Sequence, residues 1–297
     1  MNTQIGISIV IPAYNEEQGI DSVLDQLTHV LEDGALDHEI IVVDDGSTDS
    51  TAKLAEEAGA LVLRHTKNRG YGAALKTGIR HARHALICIT DADGTYPLES
   101  IPQLIECLSS DGYDMVVGSR TGREVAIPLL RRPAKWAIRR LGELVTGEQI
   151  PDLNSGLRVF QRESALRLFS LLPDGYSFTT TITLAMISNG YLVEYVPINY
   201  HPRVGHSKIR PLHDTLNFIG LVLRIALYFA PLKIFLPMSG LLLLLAIGWG
   251  VFTKLVLGKL ADVSTVVILL AAVQVFVVAL LAELIDRRLP NVYREEK

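Results

Sequence analysis

Cysteine is nearly absent from this chain of 297 residues, which holds only Cys88 and Cys107. That excludes a disulfide scaffold and makes a reducing compartment the default. A surplus of one charge sign is missing as well. Twenty-eight basic residues stand against thirty-two acidic ones, a net charge of −4. With a pI near 6.1, this gives a nucleic-acid binder no support. Only 20% of residues are charged and 49% are hydrophobic, which excludes a disordered chain. No GxGxxG follows the first apolar run and no GxxxxGK[ST] occurs anywhere, so dinucleotide and P-loop binding have no support. The opening segment MNTQIGISIVIPAYNE lacks the basic region, apolar core and cleavage site of a signal peptide.

What is present is an excess of hydrophobicity, with a mean hydropathy of +0.29, and it is unevenly placed. Ile234 to Leu257 carries one charge, Lys254, and Val263 to Ile285 carries none before Glu283. Each run reaches the roughly 20 residues that cross a bilayer as a helix. The link Gly258 to Asp262 is short, so the two form a helical hairpin with both flanks on one side. Arg203, Lys208, Arg210, Arg224 and Lys233 precede it, and Arg287, Arg288 and Arg294 follow. This bias of cations predicts a multi-pass membrane protein with both termini, and the domain before the hairpin, cytoplasmic. Residues 211–233 mix Leu216, Ile219, Leu223 and Leu227 with Asn217, Arg224 and Lys233, a pattern for helices at the membrane interface. The expected organisation is a cytoplasmic domain over 1–210, interfacial helices over 211–233, a hairpin over 234–285 and a cytoplasmic tail over 286–297.

In the first 120 residues, short apolar runs alternate with helical patterns. Ile7 to Ile11, Glu39 to Val43, Leu61 to Arg64, Ala85 to Thr90 and Asp114 to Gly118 read as strands. Glu17 to Leu31, Ser50 to Gly59, Gly72 to Arg83 and Leu98 to Ser109 read as helices. This alternation predicts an α/β fold around a doubly wound, mostly parallel sheet. Ligands then bind at the carboxyl ends of the strands. Polar clusters sit at those ends: Ala13 to Glu16, Asp44 to Ser47, Asp91 to Gly94, and Ser119 with Arg120. Asp91 and Asp93 have one small residue between them, and two carboxylates that far apart on extended chain face the same way. Hard oxygen ligands suit Mg²⁺ or Mn²⁺ completed by substrate phosphates. The bland alternative is a solvated loop with a helix N-cap.

The segments SIVIPAYNEE, EIIVVDDGSTDST, NRGYGAALKTGI, DADGTYP and VVGSR resemble the family 2 glycosyltransferases in order and spacing. DLNSGLRVFQR, PDGYSFTTTITLAMISNGY and PINYHPRVGHSKIRPLHDT resemble the polyprenyl-phosphate branch, which includes dolichyl-phosphate mannose synthase. The resemblance spans about Ser8 to Arg224 and implies a GT-A fold. It implies that Pro12, Tyr14 and Glu16 line the nucleoside pocket and that Val42 and Asp44 contact the base. Asp91 and Asp93 would hold the divalent ion bridging the donor diphosphate, a Lewis acid for the departing group, with Arg120 close to the phosphates. Many members carry Gln two residues beyond the second Asp, where this chain has Thr95; its hydroxyl or a water takes that ligand position.

The acceptor half offers one candidate base, Asp152. A lipid monophosphate is already anionic and needs no base, but it does need cations. Arg123, Arg131, Arg132, Lys135, Arg139 and Arg140 crowd one segment, and Arg203, His206 and Lys208 another. Arginine suits bidentate phosphate binding. In the branch an Arg and a Ser four residues later bind the acceptor phosphate; here Lys135 follows Arg131, and Lys135 takes that place. Arg131, Arg132, Lys135, Arg203 and Lys208 are therefore the expected acceptor-phosphate ligands, with basic contact to anionic headgroups as the alternative. The expected reaction is inverting transfer of one sugar from a GDP- or UDP-linked donor to dolichyl or undecaprenyl phosphate. Asp93 and Arg120 are its catalytic residues, and a homo-oligomer is admitted. A processive polysaccharide synthase and a catalytically silent membrane scaffold are the alternatives.

Overall fold

The computed structural model describes residues 6–34, 36–122, 139–140, 142–201, 231–258 and 263–288. The chain divides into two compact units, Met1–Pro211 and Leu212–Lys297.

The first unit is built on a seven-stranded sheet. Third in the order is β1 (Gly6–Ala13), whose run is apolar but for Ser8 and is buried from Ile7 onward. A strand covered on both faces needs such a run rather than alternation. On one side lie β2 (Asp37–Asp44) and β3 (Leu61–Arg64), both parallel to it. On the other lies β4 (Leu86–Ile89), also parallel. The order continues through β6 (Arg158–Gln161), β5 (Met115–Ser119) and β7 (Val193–Pro197). Only β6 runs against its neighbours, pairing antiparallel with β4 and β5, while β5 and β7 are parallel. The sheet is therefore mostly parallel, as the alternation predicts, with one reversed strand that was not predicted.

Helices α1 (Ile20–Asp33), α2 (Thr51–Glu57), α3 (Tyr71–His81) and α4 (Ile101–Asp111) connect the strands. In α1 the residues Ile20, Val23, Leu24, Leu27 and Leu31 are buried, the three-and-four spacing of one helical face. They pack with Ile7, Ile9 and Ile11 of β1 and with Leu104 and Leu108 of α4 in the main core. The helix expected from Leu98 starts as a 3₁₀ turn over Leu98–Ser100 before α4 begins. Beyond β6 come α5 (Arg162–Arg167) and α6 (Phe178–Ser188). The latter is buried over its first ten residues, Phe178 to Ile187, with Thr179, Thr180, Thr181 and Thr183 among its apolar side chains.

The second unit contains α7 (Pro231–Leu257) and α8 (Val263–Arg288). The pair runs slightly beyond the expected 234–285, with residues 231–233 already helical; 211–230 lie outside the described residues. Spans of 26 and 22 residues are long and apolar enough to cross a membrane, about 39 and 33 Å at helical rise. The helices touch through small residues: Ala246, Ala272 and Ala279 are buried, and Ser239 Oγ donates to the carbonyl of Ala272 at 2.9 Å. Trp249 Nε1 donates to Ser264 Oγ at 2.7 Å. Leu, Val and Phe side chains instead point outward, as at Leu244, 68% exposed. An apolar outer surface with small residues at the helix contact is what lipid solvation selects.

Candidate active site

Because β1, β2, β4 and β5 share one direction, the loops after them meet at one edge of the sheet. The first two are joined by hydrogen bonds. Asn15, the one described non-glycine residue in the left-handed region (φ 53°), donates its N–H to Ser47 Oγ at 2.9 Å. Its Oδ1 accepts from the N–H of Thr48 at 2.8 Å, and the N–H of Glu16 donates to Thr51 Oγ1 at 2.9 Å. Asp44 ends β2, is 5% exposed, and accepts from the Ser47 N–H at 2.9 Å. Pro12 is buried at the end of β1, and Tyr14 and Glu16 are half-buried at the edge beyond it. Val42, expected beside the base, lies inside β2. It is wholly buried and packs in the main core with Ile11 and Ala55, because its position inside β2 turns it toward the helix layer rather than the rim.

Asp45 has a role that sequence reasoning missed. It is 3% exposed, and its carboxylate gathers the NRGYG loop by accepting from the N–H groups of Arg69 (2.9 Å) and Gly70 (2.8 Å). His65 Nδ1 lies 2.6 Å from Asp45 Oδ1 and its Nε2 lies 2.9 Å from Thr77 Oγ1. Gly70 has φ +106°, and a Cβ there would fall 2.5 Å from the carbonyl oxygen of Asp174. The glycines of this loop therefore serve close backbone approach. The only sequence signal for the Asp45 role was the doubled Asp at the strand end.

β4 stops at Ile89, and Ala92 and Asp93 lie in a turn. The directions of Asp91 and Asp93 are thus set by that turn and by neighbours, not by the pleat of an extended strand. Asp91 is half-buried and accepts from Tyr71 Oη at 3.0 Å. Burial, then the adjacent Asp91 charge, hold the Tyr71 phenol well above its ordinary pKa, so it stays protonated and donates. Asp93 is 7% exposed. Thr95, the residue at the doubtful ligand position, is wholly buried and donates to Asp93 Oδ1 from both Oγ1 (2.7 Å) and N–H (3.2 Å). It orients a carboxylate. Among the described residues no group of three or more His, Cys, Asp and Glu could hold a metal; Asp91 and Asp93 offer a pair of hard carboxylates. That donor set fits a Mg²⁺-type ion whose other positions are filled by phosphate and water.

Arg120, just past β5, donates to Asp152 from Nε (2.7 Å), Nη2 (2.8 Å) and its backbone N–H (3.1 Å). The guanidinium lies 5.2 Å from the centroid of the Tyr200 ring, which meets Tyr96 edge-on. Burial pushes the Asp152 carboxyl upward, but the Arg120 hydrogen bonds and charge and the Asn154 N–H more than offset it and hold it below its ordinary value. Burial likewise works against the Arg120 charge, and Asp152 more than restores it. Asp152, the candidate base, is thus a weak one, committed to fixing Arg120.

The same DLNSGLR segment carries two further residues that sequence reasoning passed over. Gly156 donates its N–H to Tyr96 Oη at 2.6 Å and lies flat against Asp91. Arg158 is wholly buried and bonds to the carbonyls of Ser155 and Thr179 and to Thr183 Oγ1. Of the basic residues expected to bind the acceptor, Arg131, Arg132, Lys135, Arg203 and Lys208 lie outside the described residues. Arg139 and Arg140 are described, and both pair with Glu143.

Residues 8–169 match the family model described as glycosyl transferase family 2. The chain belongs to this family. Residues 230–287 of this family 2 glycosyltransferase match a second model, described as the GtrB C-terminal hairpin. A dolichyl-phosphate hexose transferase of Haloferax volcanii is 34% identical over 69% of this chain and 87% of its own. A dodecaprenyl-phosphate galacturonate synthase of Rhizobium johnstonii is 28% identical over 98% of this chain and 89% of its own. Glucosyl-3-phosphoglycerate synthase from Mycobacterium tuberculosis, solved with Mn²⁺, UDP and phosphoglyceric acid, aligns with TM-score 0.59 and 25% identity over 74% of this chain and 78% of that one. The same enzyme has also been solved with Mg²⁺ and UDP.

Proposed function

We propose that this glycosyltransferase moves a single sugar from a nucleotide-sugar donor to a polyprenyl phosphate, with inversion, in a divalent-metal-dependent reaction. The observation that carries the reading is the pairing on one chain of the family 2 domain with the GtrB-type hairpin. The Rhizobium relative, named for a dodecaprenyl-phosphate acceptor, matches along 98% of this chain. A hairpin in the membrane places the enzyme where a lipid acceptor lives.

Asp91 and Asp93 would hold Mg²⁺ or Mn²⁺, which, when bound, neutralises charge on the departing nucleoside diphosphate. Tyr71 and Thr95 orient the two carboxylates by donating to them. Arg120, fixed by Asp152 at the end of β5, adds positive charge where the phosphates lie. Pro12, Tyr14, Glu16 and Asp44 border the nucleoside. The acceptor phosphate attacks the anomeric carbon as an anion, so it needs no base; Asp152, held as a carboxylate by Arg120, is free of that role. Arg131, Arg132, Lys135, Arg203 and Lys208 bind that phosphate. The donor is a UDP- or GDP-linked sugar. Catalysis takes place on the cytoplasmic leaflet, with residues 1–210 and the tail 286–297 on that side.

The test is a purified full-length chain with Mn²⁺ or Mg²⁺, a panel of labelled UDP- and GDP-sugars and a short polyprenyl phosphate. A mild-acid-labile lipid-linked monosaccharide supports the reading. A long glycan or absence of metal-dependent turnover with every donor overturns it. Protease accessibility in sealed, oriented vesicles tests the sidedness.

A further inference from the structure

Arg158 is the most enclosed charge among the described residues. It opens β6 at 0% exposure, and among the described residues no carboxylate pairs with it. Its guanidinium instead holds neutral oxygens: the Ser155 carbonyl through Nε and Nη2, the Thr179 carbonyl at 3.0 Å and Thr183 Oγ1 at 2.9 Å through Nη1. Burying a cation this way is unfavourable unless its bonds secure something an apolar side chain cannot. Those bonds join one turn to one helix. Ser155 belongs to the turn that precedes β6, and Thr179 and Thr183 lie on the first turns of α6.

The turn so held is the one that meets the metal carboxylate. A Cβ on Gly156 would fall 2.9 Å from Asp91 Oδ2 and 3.0 Å from Oδ1. The backbone of Gly156 thus comes close to both oxygens of the Asp91 carboxylate, and a side chain there would crowd them. Three further bonds keep the turn from retreating: Ser155 Oγ donates to the Gly118 carbonyl at 2.5 Å, Gly156 N–H to Tyr96 Oη at 2.6 Å, and Thr180 Oγ1 to Asn154 Oδ1 at 2.7 Å. A carboxylate backed by a rigid wall has its rotamer chosen before the ion arrives.

We propose that Arg158 is a positioning residue for the metal-bound donor: by tying the Ser155 carbonyl to α6 it braces Gly156 against Asp91 and sets that carboxylate for the cation. This rests on the function proposed above. The braced turn acts on the metal and not on the lipid phosphate, so its loss separates the two.

The experiment uses the full-length chain in detergent. Mn²⁺ binding is measured by electron paramagnetic resonance with UDP or GDP present, alongside transfer kinetics. R158M and G156A are expected to weaken Mn²⁺ binding at least tenfold, R158K by less, and T183V, which removes one acceptor of the same guanidinium, by two- to fivefold. The KM for polyprenyl phosphate is expected to stay within twofold. Wild-type Mn²⁺ affinity in folded G156A, or in a folded Arg158 variant, overturns the proposal. So does equal weakening for metal and lipid, which would mark general loosening. If R158M does not fold, T183V decides, and wild-type affinity there overturns it. A wild-type chain that binds Mn²⁺ with nucleotide but transfers to no polyprenyl phosphate defeats the proposed function and leaves this inference standing.

Discussion

Replacing Asp152 by Ala would leave the Arg120 guanidinium, 9% exposed, facing an empty site. Three hydrogen bonds go at once, two from the guanidinium at 2.7 and 2.8 Å and one from the backbone at 3.1 Å. Removing one partner of a buried ion pair costs about 3–5 kcal/mol, because the other charge stays buried. For a unit of this size each kcal/mol moves Tm by roughly 2–4 °C. The expected fall is therefore roughly 6–20 °C, read by thermal unfolding of the full chain in detergent. Asp152→Asn is expected to fall less, since its amide oxygen still accepts one bond. The double variant Arg120→Met/Asp152→Leu is expected to recover much of the loss by removing both charges. The pH dependence has a definite sign. Folding lowers the Asp152 pKa, so the pair's stabilisation is complete above the ordinary carboxyl value of about 4 and drains as pH falls through the folded value. Wild type should thus lose stability over Asp152→Asn's baseline only in acid. A catalytic-base role predicts something else: near-native Tm for Asp152→Asn with the acid limb of the kcat/KM profile abolished. That result, or a Tm within 2 °C of wild type for Asp152→Ala, refutes the reasoning.

Asp93→Ala is expected to abolish transfer while far-UV circular dichroism stays close to wild type, with stability lowered by about 1–3 kcal/mol because the Thr95 donors lose their acceptor; near-native activity would sink the proposed metal mechanism. His65→Ala removes the side-chain partner of buried Asp45 and is expected to destabilise by about 1–3 kcal/mol; chemical denaturation checks it, and raised proteolysis near Arg69 should accompany it. Gly70→Ala places a methyl 2.5 Å from the Asp174 carbonyl on a backbone at φ +106°, which should cost at least about 1 kcal/mol and raise the KM for the donor more than that for the lipid.

The strands and helices up to Ser119 were legible because each carries its own pattern: a near-continuous apolar run for a doubly covered strand, and Ile20 to Leu31 at helical spacing for α1. The hairpin was legible for the same reason, since its length and lack of charge are properties of one contiguous segment. Asp91 and Asp93 could be picked out because they end an apolar run and because the segments around them match a family pattern. β6 was not legible. Its four residues, Arg158–Gln161, are too short for a period, and it enters the sheet between β4 and β5 from far along the chain.

Composition and local patterning were therefore enough for a mostly parallel α/β domain followed by a membrane hairpin, because burial and helix length are written residue by residue. Which side chains meet was settled by tertiary structure alone. Asp152 pairs with Arg120 across 32 positions and Tyr71 donates to Asp91 across 20, and nothing in either local sequence marks the partner. Val42 went into the core and Arg158 into a bracing role for that same reason. A side chain's neighbours depend on how distant strands are ordered and which way β6 runs, and that order is fixed by packing the whole sheet against its helices.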